Sequence, residues 1–188
     1  KIDYILQSGD RLMNVLNELL EISLIETQKG VVETQSFTIQ TMLDDIYILL
    51  KNKFLEKNLC FHYDLHGIEQ IESDPARIRQ ILLHLIGNAV KFSEKGEVKV
   101  ELSLTDNHYL FKIIDTGIGI SEENKNNIFE LFTQIESSIN RTHEGVGLGL
   151  PICKKLVHSL SGKIWFESKL GGGTTFFCSF PKKSHENW

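Results

Sequence analysis

Over the first 28 residues, Ile2, Ile5, Leu12, Leu16 and Leu19 recur at steps of three and four, with Gly9 and Ser23 continuing the series. Leu6, Met13 and Leu20 form a second stripe beside the first. This spacing predicts one long helix, and Gly30 follows as its stop signal. Two adjacent apolar stripes need a bundle rather than a solvent face. The segment is therefore expected to be part of a helical hairpin or a dimerisation helix. It joins a separate domain at 29–31, giving predicted units of 1–29 and 30–188.

The second unit reads as mixed α/β. Met42, Leu43, Ile46, Leu49, Leu50 and Phe54 predict a helix over 39–57, with Thr38 as its cap. Leu59, Phe61, Tyr63 and Leu65 alternate like a strand with one buried face. Asp74-Pro75 combines an N-cap residue with the residue favoured at the first helical position, and the apolar series from Ile78 to Ala89 carries that helix to Phe92. Val98 to Leu104 and Tyr109 to Ile114 predict a hairpin turned by Asp106-Asn107. Ser121 is expected to cap a short helix ending near Phe132. A polar loop is expected over 133–146, a helix over 150–160, and strands over 163–168 and 174–180 joined at Gly171-Gly172-Gly173. No internal repeat is visible.

Composition narrows the class. Apolar residues make up 41% and charged residues 24%, which excludes disordered and low-complexity chains. The 20 basic and 25 acidic side chains leave a net charge of −5, with no basic excess to favour nucleic acid. Cys60, Cys153 and Cys178 are too scattered for a disulfide framework and form no C-x-x-C pair, so they read as small buried hydrophobes in a reducing compartment. No apolar run reaches the ~20 residues of a membrane span. A cytoplasmic location is expected, within a parent protein that could be membrane-anchored.

Three polar islands could carry chemistry. His84, Asn88 and Lys91 share one helix face at i, i+4 and i+7. An amide oxygen and an ammonium there suit Mg²⁺ and polyphosphate, although the same pattern also describes the wet face of an amphipathic helix. Asp115-Thr116-Gly117-Ile118-Gly119-Ile120 ends a strand with a carboxylate and two spaced glycines. A carboxylate only accepts hydrogen bonds, so it matches an exocyclic amine such as that of adenine; a plain glycine-rich turn is the alternative. Gly145-Val146-Gly147-Leu148-Gly149-Leu150 leads into a helix whose first N–H groups favour phosphate. It is neither a Walker loop nor a G-x-G-x-x-G dinucleotide loop.

In this order the islands resemble the catalytic and ATP-binding domain of sensor histidine kinases, in the GHKL ATPase superfamily. The Asn88 segment is similar to that family's N box, Asp115–Ile120 to its D-x-G-x-G segment, Ile128–Phe132 to its F box, and Gly145–Leu150 to its G-x-G-x-G segment. The opening helix resembles the second helix of the dimerisation and phosphotransfer hairpin. The resemblance implies a two-layer α/β sandwich of the Bergerat type: a mixed sheet with three helices on one face, preceded by a long helix. It also implies ATP and Mg²⁺, with Asn88 as metal ligand. Lys91 would face the phosphates, Phe92 the nucleotide pocket, and Asp115 the adenine amine. Gly117, Gly119 and Ile120 would shape the adenine wall. Gly145, Val146, Gly147, Leu148, Gly149 and Leu150 would close the phosphate side, Phe129 and Phe132 would anchor the lid of 133–146, and His84 and Arg141 would complete the nucleotide-binding set.

The implied activity is transfer of the γ-phosphate of Mg-ATP to a histidine outside this fragment, since none of the seven histidines sits in the family's phosphoacceptor context. No catalytic residue is therefore assigned within the chain. Expected partners are ATP or ADP, the hairpin helix carrying the acceptor histidine, a second copy of the chain through residues 1–28, and a response-regulator receiver domain; nucleic acid is not expected. The sequence departs from the family at His84, where asparagine is usual, and at Asn127, where a basic residue is common. Those departures leave a nucleotide-sensing module without kinase activity as the alternative. A clamp-driving ATPase like gyrase or MutL is a third reading, which the opening helix and the absence of a following transducer domain disfavour.

Overall fold

A computed structural model of the chain describes residues 32–130 and 147–182, together with Gly9, Leu12, Met13, Leu16 and Leu20. The elements, in chain order, are β1 (Gln35–Thr38), α1 (Ile39–Glu56), β2 (Leu59–Asp64), β3 (Gln70–Ser73), α2 (Pro75–Phe92), β4 (Gly96–Thr105), β5 (His108–Asp115), α3 (Gly149–Ser159), β6 (Lys163–Ser168) and β7 (Thr174–Pro181).

Five strands form one mixed sheet in the order β2-β4-β5-β7-β6, with β2 parallel to β4 and every other pair antiparallel. Sequence alternation decides which face is covered. Val98, Val100 and Leu102 of β4, Phe111 and Ile113 of β5, and Phe176, Cys178 and Phe180 of β7 point into one core. Ile39, Leu43 and Ile46 of α1, Ile81, Leu82, Leu85 and Ile86 of α2, and Ile152, Leu156 and Val157 of α3 close it from the helix side. The result is the expected two-layer sandwich. The other sheet face carries the Lys99–Glu101–Lys112 ion pairs and a Trp165–Phe177 stack with ring centroids 5.2 Å apart.

Local chemistry explains several joints. The Asp74 side chain accepts the Arg77 backbone N–H at 3.1 Å, with Pro75 directly after it, as expected. Asp106 and Asn107 both adopt positive φ, +44° and +61°, as a two-residue hairpin turn with the strands' own twist requires.

Four expectations are corrected. Cys153 and Cys178 are buried, but Cys60 is exposed, because it falls on the outward phase of β2 between Leu59 and Phe61. Thr38 occupies the N-cap position of α1, but its side chain makes no capping bond because the residue ends β1. β1 and β3 form a separate two-stranded sheet that the periodicity does not predict. Residues 121–130 are successive turns, not a helix. Their backbone bonds, such as Asn124 N–H to Ser121 O and Asn127 N–H to Asn124 O, all run i to i−3. The Ser121 hydroxyl accepts the Asn124 side-chain amide at 3.0 Å instead of capping a backbone N–H. Bonds that close at i to i−3 make tight single turns rather than a continuing α-helix.

Gly9, Leu12, Met13, Leu16 and Leu20 are helical and exposed, the four apolar ones by 45–62%. The remainder of the predicted 1–28 helix, Phe132, the 133–146 loop, Arg141, Gly145 and Val146 lie outside the described residues.

Candidate nucleotide-binding site

Asp115 is the last residue of β5, a central strand, and is 7% exposed. Its Oδ1 accepts two backbone N–H groups, from Gly117 at 2.8 Å and from Thr174 at 3.1 Å. No described residue bonds Oδ2. The carboxylate is thus held rigidly through one oxygen while the other remains an acceptor of fixed direction. Burial raises the Asp115 pKa above its ordinary value; the bonds from Gly117 and Thr174 oppose that rise.

The loop after Asp115 is seated from two sides. On one side, the Phe92 carbonyl at the end of α2 accepts the Ile118 N–H at 3.2 Å. A Cβ on Gly117 would stand 2.6 Å from that same oxygen, so only glycine lets the loop and the helix end meet. On the other side, Ile118 O accepts the Gly171 N–H at 2.7 Å, and the Ser168 hydroxyl accepts the Ile120 N–H at 2.8 Å. Gly119 has φ +71°, and a Cβ there would overlap the Lys169 carbonyl oxygen. Ser168 also bonds Gly173 O at 2.9 Å and Thr174 Oγ1 at 2.8 Å.

Ser168, Gly173 and Thr174 escaped the sequence reading. Their sequence signal is the Gly-Gly-Gly-Thr run before the last strand, which reads as a turn until β7 is known to lie beside β5.

The α2 residues form the adjoining wall. Asn88 is half-buried and makes no side-chain hydrogen bond among the described residues. The Lys91 ammonium lies over the Phe92 ring, 4.9 Å from its centroid. His84, one turn before Asn88, faces the start of α3: a Cβ on Gly149 would be 3.3 Å from its Nδ1. That brings the first and third islands together. Gly147 has φ +78°, and Leu148, the N-cap of α3, is fully buried and supplies no side-chain cap. Leu150 packs half-buried against the core; Pro151 has no N–H and the Ile152 N–H goes to Leu148 O, which leaves the Gly149 and Leu150 N–H groups as the helix-start donors suited to an anion. Asn127 is exposed within the turns. Phe129 packs edge-on to Phe166 at 6.0 Å, with Lys154 5.8 Å above its ring.

The donor set fits a magnesium nucleotide. It offers one directional carboxylate oxygen, one amide oxygen suited to a hard cation, a lysine, and a helix start suited to phosphate. A shallow cleft of about 350 Å³ elsewhere, lined by Thr38, Leu65, Ile68 and Gln70 among others, shares no residue with this set.

Residues 73–184 match the family of histidine kinase-, DNA gyrase B-, and HSP90-like ATPases. The chain belongs to that family. Within it, the similarity is to sensor kinases, and the chain is an ATP-binding catalytic domain of the histidine kinase type. Over 178 residues it is 35% identical to the signal transduction histidine-protein kinase BarA of Escherichia coli K12, which covers 91% of this chain and 19% of BarA. Over 196 residues it is 39% identical to the autoinducer 2 sensor kinase/phosphatase LuxQ of Vibrio parahaemolyticus, covering 99% of this chain and 23% of LuxQ. It therefore spans about a fifth of the length of these relatives. Full-length ShkA in complex with AMPPNP superposes with a TM-score of 0.82 at 29% identity, over 95% of this chain and 38% of ShkA. The catalytic domain of the histidine kinase ThkA gives 0.68 at 28%, over 80% of this chain and 96% of that domain. Among the described residues no helix is long and apolar enough to cross a membrane.

Proposed function

We propose that this domain binds Mg-ATP and supplies its γ-phosphate to a histidine on a helix outside these 188 residues. The observation that carries the reading is the buried Asp115 carboxylate, locked through Oδ1 so that Oδ2 is aimed as an acceptor. That geometry suits the adenine amine and opposes a carbonyl at the same ring position. Gly117, Gly119 and Ile120 form the wall beside it. Asn88 offers its side-chain oxygen to the metal, Lys91 its charge to the phosphates, and Phe92 the floor between them. Bound Mg²⁺ supplies charge neutralisation on the phosphates. The protein's own contribution is positioning and electrostatics, because phosphoryl transfer asks little covalent chemistry of it.

His84 serves as a wall residue toward Gly149 rather than as an acceptor. The exposed Leu12, Met13, Leu16 and Leu20 support a role for residues 1–28 in pairing with a hairpin helix and with a second copy of the chain. A response-regulator receiver domain is the proposed phosphate destination. ThkA, which superposes with a TM-score of 0.76 at 26% identity in its complex with the response regulator protein TrrA, supports that partner class. The test is radiolabelled Mg-ATP with this domain and a histidine-bearing helical hairpin from the same parent. Acid-labile, base-stable label on the hairpin is expected. ATP binding without any transfer would favour the nucleotide-sensing alternative.

A further inference from the structure

The end of α2 is closed without a left-handed glycine. Ser93 follows the helix in extended conformation, at φ −96° and ψ 132°, so no Schellman turn forms. A helix end leaves its last carbonyls without intrahelical partners, and here each has an identifiable donor. Ala89 O takes the Ser93 N–H at 3.1 Å, and Phe92 O takes the Ile118 N–H at 3.2 Å. The others converge on one side chain. The Lys57 ammonium donates to Val90 O at 2.8 Å, Lys91 O at 2.6 Å and Ser93 O at 3.0 Å. Lys57 stands at the C-cap of α1, so the anchor belongs to a different helix.

We propose that Lys57 is a positioning residue for the nucleotide site, fixing the last turn of α2 so that Asn88, Lys91 and Phe92 meet the Asp115–Ile120 loop in register. The proposal rests on the Mg-ATP reading above. Lys57 bonds the backbone of Lys91 itself and both neighbours of Phe92, whose oxygen holds Ile118. Displacing that turn moves the amide and ammonium away from the phosphates and breaks the seat of the purine loop. An ammonium carries three donors on one compact centre, which suits three converging carbonyls; a planar guanidinium spreads its donors and cannot reproduce this. The positive charge also complements the negative end of the α2 dipole. Burial lowers the Lys57 pKa, Glu94 opposes that fall, and Lys53 adds to it.

The test uses the full chain and measures ADP affinity with and without Mg²⁺, at a temperature where circular dichroism shows each variant folded. Lys57→Met keeps most of the stem and removes the donors. It is expected to reduce the magnesium-dependent gain in affinity roughly tenfold, at the lower end of what outer partners of a metal site contribute. Lys57→Arg keeps the charge and is expected to lose part of that gain, which provides a reading if the methionine variant does not fold. A lowered melting temperature with an intact magnesium gain in either folded variant would overturn the proposal, since Lys57 would then be only a stabilising cap. A wild-type chain that binds ADP with no magnesium gain would instead overturn the metal-site reading on which the proposal stands.

Discussion

Replacing Asp115 with asparagine tests the adenine assignment most directly, because the structure fixes how the new amide must sit. Two backbone N–H groups, from Gly117 and Thr174, point at Oδ1 at 2.8 and 3.1 Å. An amide flipped to put its NH₂ there would face donors with donors. The variant must therefore keep its oxygen toward the backbone and turn Nδ2 toward the ligand, where Oδ2 had been. The adenine amine then meets a donor instead of a charged acceptor. Losing a hydrogen bond to a charged group costs about 1.5–3 kcal/mol, or roughly 10–150-fold in affinity. Inosine diphosphate carries a carbonyl at the same ring position, so it should gain where ADP loses, and the ADP-over-IDP preference should narrow or invert. The folded domain should not suffer. The Asp115 pKa is raised in the folded state, so its stability contribution is present below the unfolded value near 3.8 and lost as pH rises through the folded value. Asp115→Asn is then expected to be at least as stable as wild type at neutral pH. Calorimetric titration of both nucleotides with thermal melts checks each statement. Unchanged ADP affinity in a folded variant would refute the assignment of Asp115 to the adenine amine.

Two further outcomes follow from the same geometry. Asn88→Ala should remove most of the magnesium-dependent gain in ATP binding while leaving magnesium-free ADP binding near wild type, as read by titration with and without the ion. ADP affinity should fall as the pH drops through the raised Asp115 value, beginning above 3.8, because the acceptor oxygen is protonated there; Asp115→Asn should flatten that limb of the profile.

What was legible in the sequence was legible for local reasons. The apolar alternation of Val98, Val100, Leu102 and Leu104 along β4 is uninterrupted, and Asp115 ends β5, an apolar run whose every second residue is buried. The Asp74-Pro75 pair marks a helix start by its own chemistry. By contrast, Gln35–Thr38 and Gln70–Ser73 are four-residue strands with little apolar alternation, and they become visible only when they pair. The stretch 121–130 holds only two apolar residues, Ile128 and Phe129, so no periodicity marks it, and its backbone bonds close at i to i−3 rather than i to i−4. The supports of the site were hidden by distance along the chain. Thr174 reaches Asp115 across 59 positions, Ser168 reaches Ile120 across 48, and Lys57 reaches Val90 across 33. No periodicity carries such information, since each contact exists only after the sheet and helices have assembled.

Those supports divide the site into two halves that meet at one place. Lys57 anchors the α2 half, and Ser168 with Gly173 anchors the half built on the Asp115–Ile120 loop. Between them, the Phe92 carbonyl touches Ile118 N–H over the missing side chain of Gly117. A methyl at Gly117 would lie 2.6 Å from Phe92 O and 2.8 Å from Asp115 Oδ1, pressing on both halves at once. Neither neighbour is the loose end of a flexible side chain. The backbone has to open, at an overpacking cost of about 1–3 kcal/mol. Gly117→Ala is therefore expected to weaken magnesium-free ADP binding and the magnesium gain together, by roughly tenfold or more in total. Gly119→Ala is the control. Its methyl presses on the Lys169 carbonyl and the Leu170 Cα, both in the β6–β7 turn, at a left-handed φ of +71°. That variant should weaken magnesium-free ADP binding and leave the magnesium gain intact. Titrations of the two variants in parallel separate the cases. If Gly117→Ala changed only one of the two quantities, the halves would not be coupled through this contact.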